Sequence, residues 1–404
     1  MPAITIDQLR PGHVLQEDVV SLHGRRLAAA GTVLTEAHLR TFKTWGVHTV
    51  QVHPSAAPQE TPPPLPEAFL EQARHATKRF FARNDTRHPL VRQLAHLYYS
   101  RILKQGELPA APPPIPEGPA VAPPPLDQLL GQRIELASLP DIFTRIIEAL
   151  GKPNASASYL AELIQNDIGL TTRLLKIANS PAFAGPRRVE TVSRAIALLG
   201  TDQLCRLAFG ISLVSLFSHI PQELLDMPQF WRHSIACGIL ARLLAIQTKM
   251  PASEAFFLYG MLHDIGRLIM LTHEPDSARA PLALEARKPH GLLDAERHFW
   301  HYDHTQVAAA VLQAWKLPDH LALPVALHHA PNQAPDIPAA AIVHLADALA
   351  HVSLHGRSGI QALAPLDIAY IERLGLEEGF VHTVMPQLDA HIDEVMHLFF
   401  HHAE

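Results

Sequence analysis

The hydrophobic positions from Leu126 to the end of the chain recur at the spacing of amphipathic helices. Segments such as LPDIFTRIIEAL, SASYLAELIQND and GLTTRLLKIANS place apolar residues three or four positions apart. Most have Ser, Thr or Asp near the start and Gly or Asn near the end, which are helix-capping residues. Strand-like alternation is nearly absent from this part. The pattern predicts a mainly α protein with an all-helical domain over residues 126–404.

The first 53 residues show a different pattern. ITIDQLRPGHVLQEDVV and GRRLAAAGTVLT are typical of short strands joined by turns, one of them at Pro11-Gly12. TEAHLRTFKTWG is typical of a helix that begins at an N-cap, Thr35, and ends at Gly46. The strand-like segment VHTVQV follows. We therefore expect residues 1–53 to form a small α+β module.

Two proline-rich stretches divide the chain. Residues 54–66 and 107–125 contain runs such as TPPPLP and AAPPPIPEGP, which build neither a β-ladder nor a packed core. We interpret both as linkers. Residues 67–106 lie between them and carry apolar positions at helical spacing, which predicts a helical segment of two helices broken at Pro89.

Composition limits the function classes. The 404 residues are 48% hydrophobic and carry a net charge of -6, so a large core can form in two or three domains. A weakly acidic chain gives no electrostatic reason to expect nucleic acid or a membrane as a partner. Cys205 and Cys237 lie in apolar helical patterns, and we expect buried, reduced thiols. Because no signal peptide or apolar run of about 20 residues is evident, we expect a cytoplasmic protein.

An aspartate stands in one of the most apolar helical runs. YGMLHDIGRLIM, residues 259–270, places His263 beside Asp264. A buried carboxylate is costly unless it is paired or binds a metal. The partner can be a metal ion, Arg267 or a buried histidine.

The helical region resembles the HDOD domain family. NDIGLTTRLLKIANSPAF, residues 166–183, matches the D-x-x-L, L-L and A-N-S elements of that family at Asp167, Leu170, Leu174, Asn179 and Ser180. VSRAIALLG, FWRHSIACGILARLLA, FLYGMLHDIGRL, HTQVAAAVLQAWKLP and VALHHAP continue the resemblance, which covers about residues 126–347. IDQLRPGHVL and GTVLTEAHLRTFKTWGV resemble the small domain found in front of HD-GYP phosphodiesterases.

This resemblance implies a function. HDOD domains are all-helical relatives of the HD superfamily of metal-dependent phosphohydrolases, and they act mostly as bacterial, cytoplasmic regulatory modules. We therefore expect a signal-transduction protein, more a protein-interaction or signal-relay module than an enzyme, with a signalling protein as partner. The alternative is a metal-dependent phosphohydrolase or phosphodiesterase that acts on a nucleotide or cyclic dinucleotide.

The resemblance to HD enzymes also implies metal ligands. Those enzymes draw a first histidine, a His-Asp pair, later histidines and a final aspartate from separate helices. The matching positions here are His233, His263, Asp264, His304, His328, His329 and Asp347. Such nitrogen and oxygen ligands imply one or two divalent ions, Mn, Fe, Zn or Mg. For His304, His328 and His329 taken singly, a hydrogen-bonded core histidine is the alternative.

Three departures from the HD-GYP pattern bear on catalysis. The His328-His329 doublet continues as HHAPNQAPDIP, without the Gly-Tyr-Pro signature, which disfavours hydrolysis of cyclic di-GMP. The lysine that usually follows the His-Asp pair is Arg267, which would hold phosphate as a charged fork if the protein is an enzyme, with Asp264 as the other catalytic group. Gln229 stands where trinuclear sites have a glutamate, which argues against a third ion.

Overall fold

The structure is a computed structural model that divides into two units. One unit comprises Met1–Pro64 and Val381–His391, and the other comprises Leu65–Phe380 and Ile392–Glu404. The residues that the structure describes are 3–10, 12–20, 26–45, 47, 49–52, 65–109, 121–133, 142, 145–146, 148, 157–179, 189–217, 220–287 and 291–400.

The N-terminal residues form two small antiparallel sheets and a helix. Strand β1 (Ala3–Thr5) pairs with β4 (Thr49–Gln51), and β2 (Val19–Val20) pairs with β3 (Arg26–Ala28). Helix α1 (Glu36–Thr44) lies between β3 and β4 in the sequence. The buried core is apolar and consists of Leu9, Leu15, Val19, Leu34, Phe42, Val50 and Val52. The predicted α+β region is confirmed.

Local capping explains where α1 begins. The backbone N–H of His38 donates to the Thr35 hydroxyl, and the N–H of Thr35 donates to Nδ1 of His38. This reciprocal pair satisfies two N–H groups that the first turn of a helix leaves free. The predicted helix end at Gly46 lies outside the described residues, as do Pro11 of the predicted turn and Ser180 of the HDOD-like signature.

The regular elements described from residue 65 onward are helical, apart from a short 3-10 turn at Pro331–Gln333. In chain order the helices are α2 (Glu67–Phe80), α3 (Pro89–Gln105), α4 (Leu126–Arg133), α5 (Ala157–Gln165), α6 (Ile168–Ala178), α7 (Val192–Leu199), α8 (Thr201–Leu216), α9 (Met227–Gln247), α10 (Ala255–Leu262), α11 (Ile265–His273), α12 (Pro275–Arg287), α13 (Leu292–Trp300), α14 (His304–Ala314), α15 (Asp319–Ala326), α16 (Ile337–Ser353), α17 (Ile368–Glu372) and α18 (Phe380–Phe400). The predicted mainly helical fold is confirmed. None of the described helices combines the length and apolar composition that crossing a bilayer requires.

Two polar residues of the HDOD-like signature act as structural caps. Asp167 accepts the N–H of Leu170 at 2.8 Å and so caps the start of α6. Asn179 follows the end of α6, where its Nδ2 donates to the carbonyl of Val189 and its Oδ1 accepts the Val189 N–H, both at 2.7 Å. The Asp167 bond satisfies an N–H in the first turn of α6, and the Asn179 bonds join the end of α6 to the backbone of Val189.

Helices α2 and α3 pack against the helical domain rather than standing apart from it. Phe80 stacks on Tyr98 with ring centroids 4.5 Å apart. Asn84, just after α2, donates to the carbonyls of Leu363 and Ala364 and accepts the N–H of Leu366. One side chain thus satisfies three backbone groups of the segment after α16, although about 280 residues of chain separate them.

Close helix packing depends on a glycine next to the His-Asp pair. A Cβ atom added at Gly266, in the first turn of α11, would lie 1.9 Å from the carbonyl oxygen of His304. This distance is far inside any van der Waals contact, so only glycine lets α11 approach the start of α14. Asp264 therefore comes to lie beside His304.

We expect Gly266→Ala to destabilise the fold by at least about 1–3 kcal/mol, because the added methyl group has no space. Urea denaturation followed by circular dichroism measures the change. Gly131→Ala in α4 is the matched control, since its Cβ would meet no atom within 4 Å. The control should be neutral or stabilise by about 0.5–1 kcal/mol. Equal effects of the two substitutions would contradict the role of Gly266.

Candidate metal centre

The seven ligands predicted from the sequence come from separate helices and meet in one buried cluster. His233 lies inside α9, and Asp347 lies inside α16. His263 and Asp264 form the break between α10 and α11. His304 is the first residue of α14, and His328 and His329 follow α15. Four triplets drawn from these residues and His351 each offer ligand atoms that all lie within 4.8 Å of one another.

Asp347 is the centre of one half of the cluster. Its Oδ1 lies 3.1 Å from Nε2 of His233 and 3.4 Å from Nε2 of His263. The two imidazole nitrogens are themselves 3.3 Å apart. Nε2 of His351, one turn further along α16, lies 3.2 Å from the same oxygen. Four ligand-type atoms thus surround one small volume.

Asp264 connects this half of the cluster to the other. Its Oδ2 lies 3.5 Å from Nε2 of His263, and its Oδ1 lies 3.4 Å from Nε2 of His304. His304, His328 and His329 each offer a ligand atom within 4.8 Å of the other two. Because Asp264 directs one oxygen toward each half, it is placed to bridge two ions.

Three of the histidines are oriented by hydrogen bonds from Nδ1. In His263 this nitrogen is 2.7 Å from the carbonyl of Gly260, and in His328 it is 2.7 Å from the carbonyl of Val325. A carbonyl oxygen only accepts, so Nδ1 carries a proton in both rings, which leaves Nε2 as the nitrogen that would bind an ion. Both Nε2 atoms face the cluster as ligands.

His304 is oriented by a carboxylate. Its Nδ1 lies 2.6 Å from Oε2 of Glu296 on α13, and its backbone N–H donates to the same oxygen at 3.0 Å. A carboxylate that accepts from the outer nitrogen of a metal-binding histidine fixes the ring and increases its basicity. Asp303, the N-cap of α14, accepts the N–H groups of Thr305 and Gln306 and fixes the position of His304 in the first turn.

The cluster fits a divalent ion by two criteria. Nε2 of His304, Nε2 of His328 and Oδ1 of Asp347 are buried and have no hydrogen-bond partner among the described residues. Each such atom costs about 1–3 kcal/mol unless something binds it. Bonds of about 2.1 Å place neighbouring ligand atoms about 3.0–3.4 Å apart, close to the distances around Asp347 and Asp264.

The electrostatics differ among the histidines: although burial lowers them, the neighbouring carboxylates Asp264 and Glu296 bring the pKa values of His263 and His304 above the usual value, whereas two other rings stay neutral. Burial, together with the neighbouring His351, lowers the pKa of His233 to about 3. Burial and the neighbouring His263 lower the pKa of His328 to about 3. Both rings are therefore neutral at pH 7 and can bind a cation. Although burial raises the pKa of Asp347, the nearby imidazoles of His351, His233 and His263 bring it well below the usual value, so the carboxylate is charged.

A small cavity opens onto the cluster. Its volume is about 230 Å³, and its lining includes Asp264, Asp347, His304 and His329 together with three arginines, Arg83, Arg267 and Arg297. Arg267 is buried, donates from Nη1 to Oδ2 of Asp264 at 2.9 Å, and has no partner for Nη2 among the described residues. The cavity therefore presents a free guanidinium N–H beside the carboxylates.

The sequence patterns missed three residues around the cluster. His351 was available as a signal, because it lies on the same helical face as Asp347, one turn away. Glu296 and Arg83 gave no sequence signal, since their contacts with the site depend on tertiary packing. His344, by contrast, accepts the N–H of Asp367 at Nε2, which is a structural contact.

Comparison with known proteins identifies the domain. Residues 136–331 match the HDOD domain family, so this part of the chain is an HDOD domain. An uncharacterized protein of Treponema pallidum is 26% identical over 205 residues, 50% of this chain. The chain spans only 39% of that protein's length.

Solved structures show the same fold. An HDOD domain protein of unknown function from Geobacter sulfurreducens has a TM-score of 0.54 at 24% identity, over 68% of this chain and 95% of that one. A protein from Shewanella amazonensis, provisionally described as a phosphohydrolase, also has a TM-score of 0.54, at 20% identity over 67% and 98%. At these identities the likeness concerns the fold alone.

We expect Glu296→Ala to weaken binding of Mn²⁺ or Zn²⁺ about 10–100-fold, because His304 loses the carboxylate that orients it. Isothermal titration calorimetry on untagged, metal-free protein measures the affinity. His298→Ala is the matched control, since His298 is exposed on the same helix, α13. An unchanged affinity in Glu296→Ala would show that His304 binds no ion.

Proposed function

We propose that this chain is a bacterial, cytoplasmic signal-transduction protein whose HDOD domain binds two divalent metal ions and acts through contacts with a signalling protein. One observation supports the metal site most strongly. The Nδ1 contacts of His263, His304 and His328 orient these rings so that their Nε2 atoms point inward, toward two buried carboxylates. One ion would be held by His233, His263, Asp264 and Asp347, and the other by Asp264, His304, His328 and His329.

The regulatory part of the proposal follows from where the ligands lie. They come from α9, the α10–α11 junction, α14, the end of α15 and α16, which are far apart in the sequence. A bound ion cross-links these segments and adds its binding energy to the stability of one packing arrangement. The HDOD domain would then present a different surface to its partner with and without metal.

The size of the cavity favours a regulatory role and disfavours hydrolysis of a cyclic dinucleotide. Its volume of about 230 Å³ is below the roughly 300–1,000 Å³ of pockets that enclose drug-sized ligands. A cyclic dinucleotide, which contains two nucleotides, is larger than a cavity of about 230 Å³ encloses. The residues after the histidine doublet, Ala330 and Pro331, also lack the Gly-Tyr-Pro signature.

A second candidate function, hydrolysis of a small phosphoester such as a nucleotide, is favoured by Arg267. Its free Nη2 is buried in the cavity wall beside Asp264. A guanidinium donates hydrogen bonds in a fork that matches phosphate oxygens. Arg83 and Arg297 line the same cavity, where they are ion-paired with Asp294 and Asp303. Divalent ions, when bound, supply Lewis acidity for phosphoester hydrolysis.

Metal analysis tests the first proposal. We expect untagged wild-type protein to contain two ions per chain by inductively coupled plasma mass spectrometry after loading with Mn²⁺, Fe²⁺ or Zn²⁺. Loading should stabilise the domain by about 2.7 kcal/mol per ion when free metal exceeds Kd about 100-fold, and EDTA should reverse the gain.

Variants make this test specific. Asp264→Asn should abolish stoichiometric binding of both ions, and Asp347→Asn should abolish binding of the ion that Asp347 would hold. Asp319→Asn, at an exposed carboxylate on α15, should bind as the wild type does. A wild-type protein that binds no stoichiometric metal, or equal binding in all three variants, would contradict the proposed centre.

A hydrolysis assay tests the second candidate separately. Metal-loaded protein is incubated with p-nitrophenyl phosphate and with its bis ester. If the protein is an enzyme, Arg267→Lys should lower kcat/KM about tenfold or more, which is about 1.4 kcal/mol of transition-state stabilisation. Metal-loaded protein without turnover would exclude this candidate for these phosphoesters and leave the metal-binding proposal intact.

A further inference from the structure

His351 has a position that the predicted ligand set does not explain. It is buried on α16, one turn after Asp347, and its Nε2 lies 3.2 Å from Oδ1 of that carboxylate. Its ring stacks on the ring of His233, with centroids 4.0 Å apart and planes 27° from parallel. His233, Asp347 and His351 each offer a ligand atom within 4.8 Å of the other two.

Hydrogen bonding alone does not account for this arrangement. Oδ1 of Asp347 has imidazole nitrogens of His233, His263 and His351 within 3.4 Å, yet it has no hydrogen-bond partner of regular geometry among the described residues. Ligand atoms that converge on a shared point, rather than on each other, have this geometry. The Ser358 hydroxyl lies 3.4 Å from Nε2 of His351, on the side toward the cavities.

His351 also lies on the side of the cluster where Gln229 offers no charged ligand. Gln229, one turn before His233, carries no charged group, and both Gln229 and His351 line a second cavity of about 850 Å³. On this side of the cluster an ion would otherwise meet only His233 and Asp347 before reaching the cavity. The imidazole of His351 fills that side with a nitrogen atom.

We propose that His351 is a nitrogen ligand of the ion that His233, His263 and Asp347 hold, an inference that rests on the proposed metal centre. With His351 added to His233, His263, Asp264 and Asp347, five protein side chains would hold the first ion. A site closed in this way is structural, whereas a catalytic site keeps a position open for water or substrate. The first ion would therefore be a cross-link between α9, the α10–α11 junction and α16, while ligands of both ions, Asp347 and His304 among them, line the arginine-lined cavity.

Cobalt substitution tests the proposal without an activity assay. Visible absorption of Co²⁺ reports the number and type of its ligands. We expect His351→Gln to weaken one of the two ions about tenfold or more and to change the absorption bands of that ion, while the other ion keeps the wild-type affinity. His351→Glu, which returns an oxygen ligand, should restore much of the affinity with a spectrum different from both. His344→Gln is the matched control, a buried histidine of the same helix whose Nε2 accepts the Asp367 N–H.

The outcomes separate this inference from the proposed function. Wild-type protein without bound metal would overturn both. Wild-type affinity and spectrum in His351→Gln would overturn the inference alone, and so would a weaker affinity with unchanged absorption bands, because His351 would then only position Asp347. If His351→Gln does not fold, the Co²⁺-loaded wild-type chain decides by nuclear magnetic resonance. A hyperfine-shifted, exchangeable N–H resonance for His351 supports the proposal, and its absence overturns it.

Discussion

The burial of Asp264 and Asp347 within apolar helices is the constraint on which the rest of this domain depends. Each carboxylate is almost entirely removed from water, at 5% and 6% exposure, and each keeps its negative charge. Such burial is unfavourable unless cations or strong donors surround the group. The imidazoles of five helical segments and the guanidinium of Arg267 provide that surrounding. The helices are therefore positioned around the carboxylates as much as around the hydrophobic core.

The need to surround the two carboxylates also affects the packing of residues that are not ligands. Gly266 lets α11 touch the start of α14, and Gly260 lets α10 approach α9, where an added Cβ would lie 2.6 Å from the carbonyl of Cys237. Glu296 lies on a helix that contributes no ligand, yet it decides which nitrogen of His304 faces inward. The site is thus held by small residues and outer hydrogen bonds that contact no ion themselves.

The sequence was informative where chemistry follows helical spacing. Apolar periodicity gave the mainly helical fold, and the resemblance to HD proteins placed seven side chains that the structure brings together. The predicted domain boundaries and the resemblance of residues 1–53 to a known module stay predictions. Glu296 lies in LLDAERHFW, whose polar residues are as typical of an exposed helix as of a site. Arg83 lies in a different predicted segment from the ligands, so only tertiary packing could reveal its place at the cavity.

The three backbone contacts of Asn84 bear on how the cavity wall is completed during folding. The segment from Leu363 to Leu366 borders the arginine-lined cavity and takes its hydrogen bonds from a residue encoded near the other end of the chain. Loop closure over such a distance is slow compared with the formation of local helices. We therefore expect the wall to be completed late, after the ligand-bearing helices have docked. Residues 136–331 alone, cut at the limits of the HDOD match, would lack Asp347, Asn84 and the wall itself.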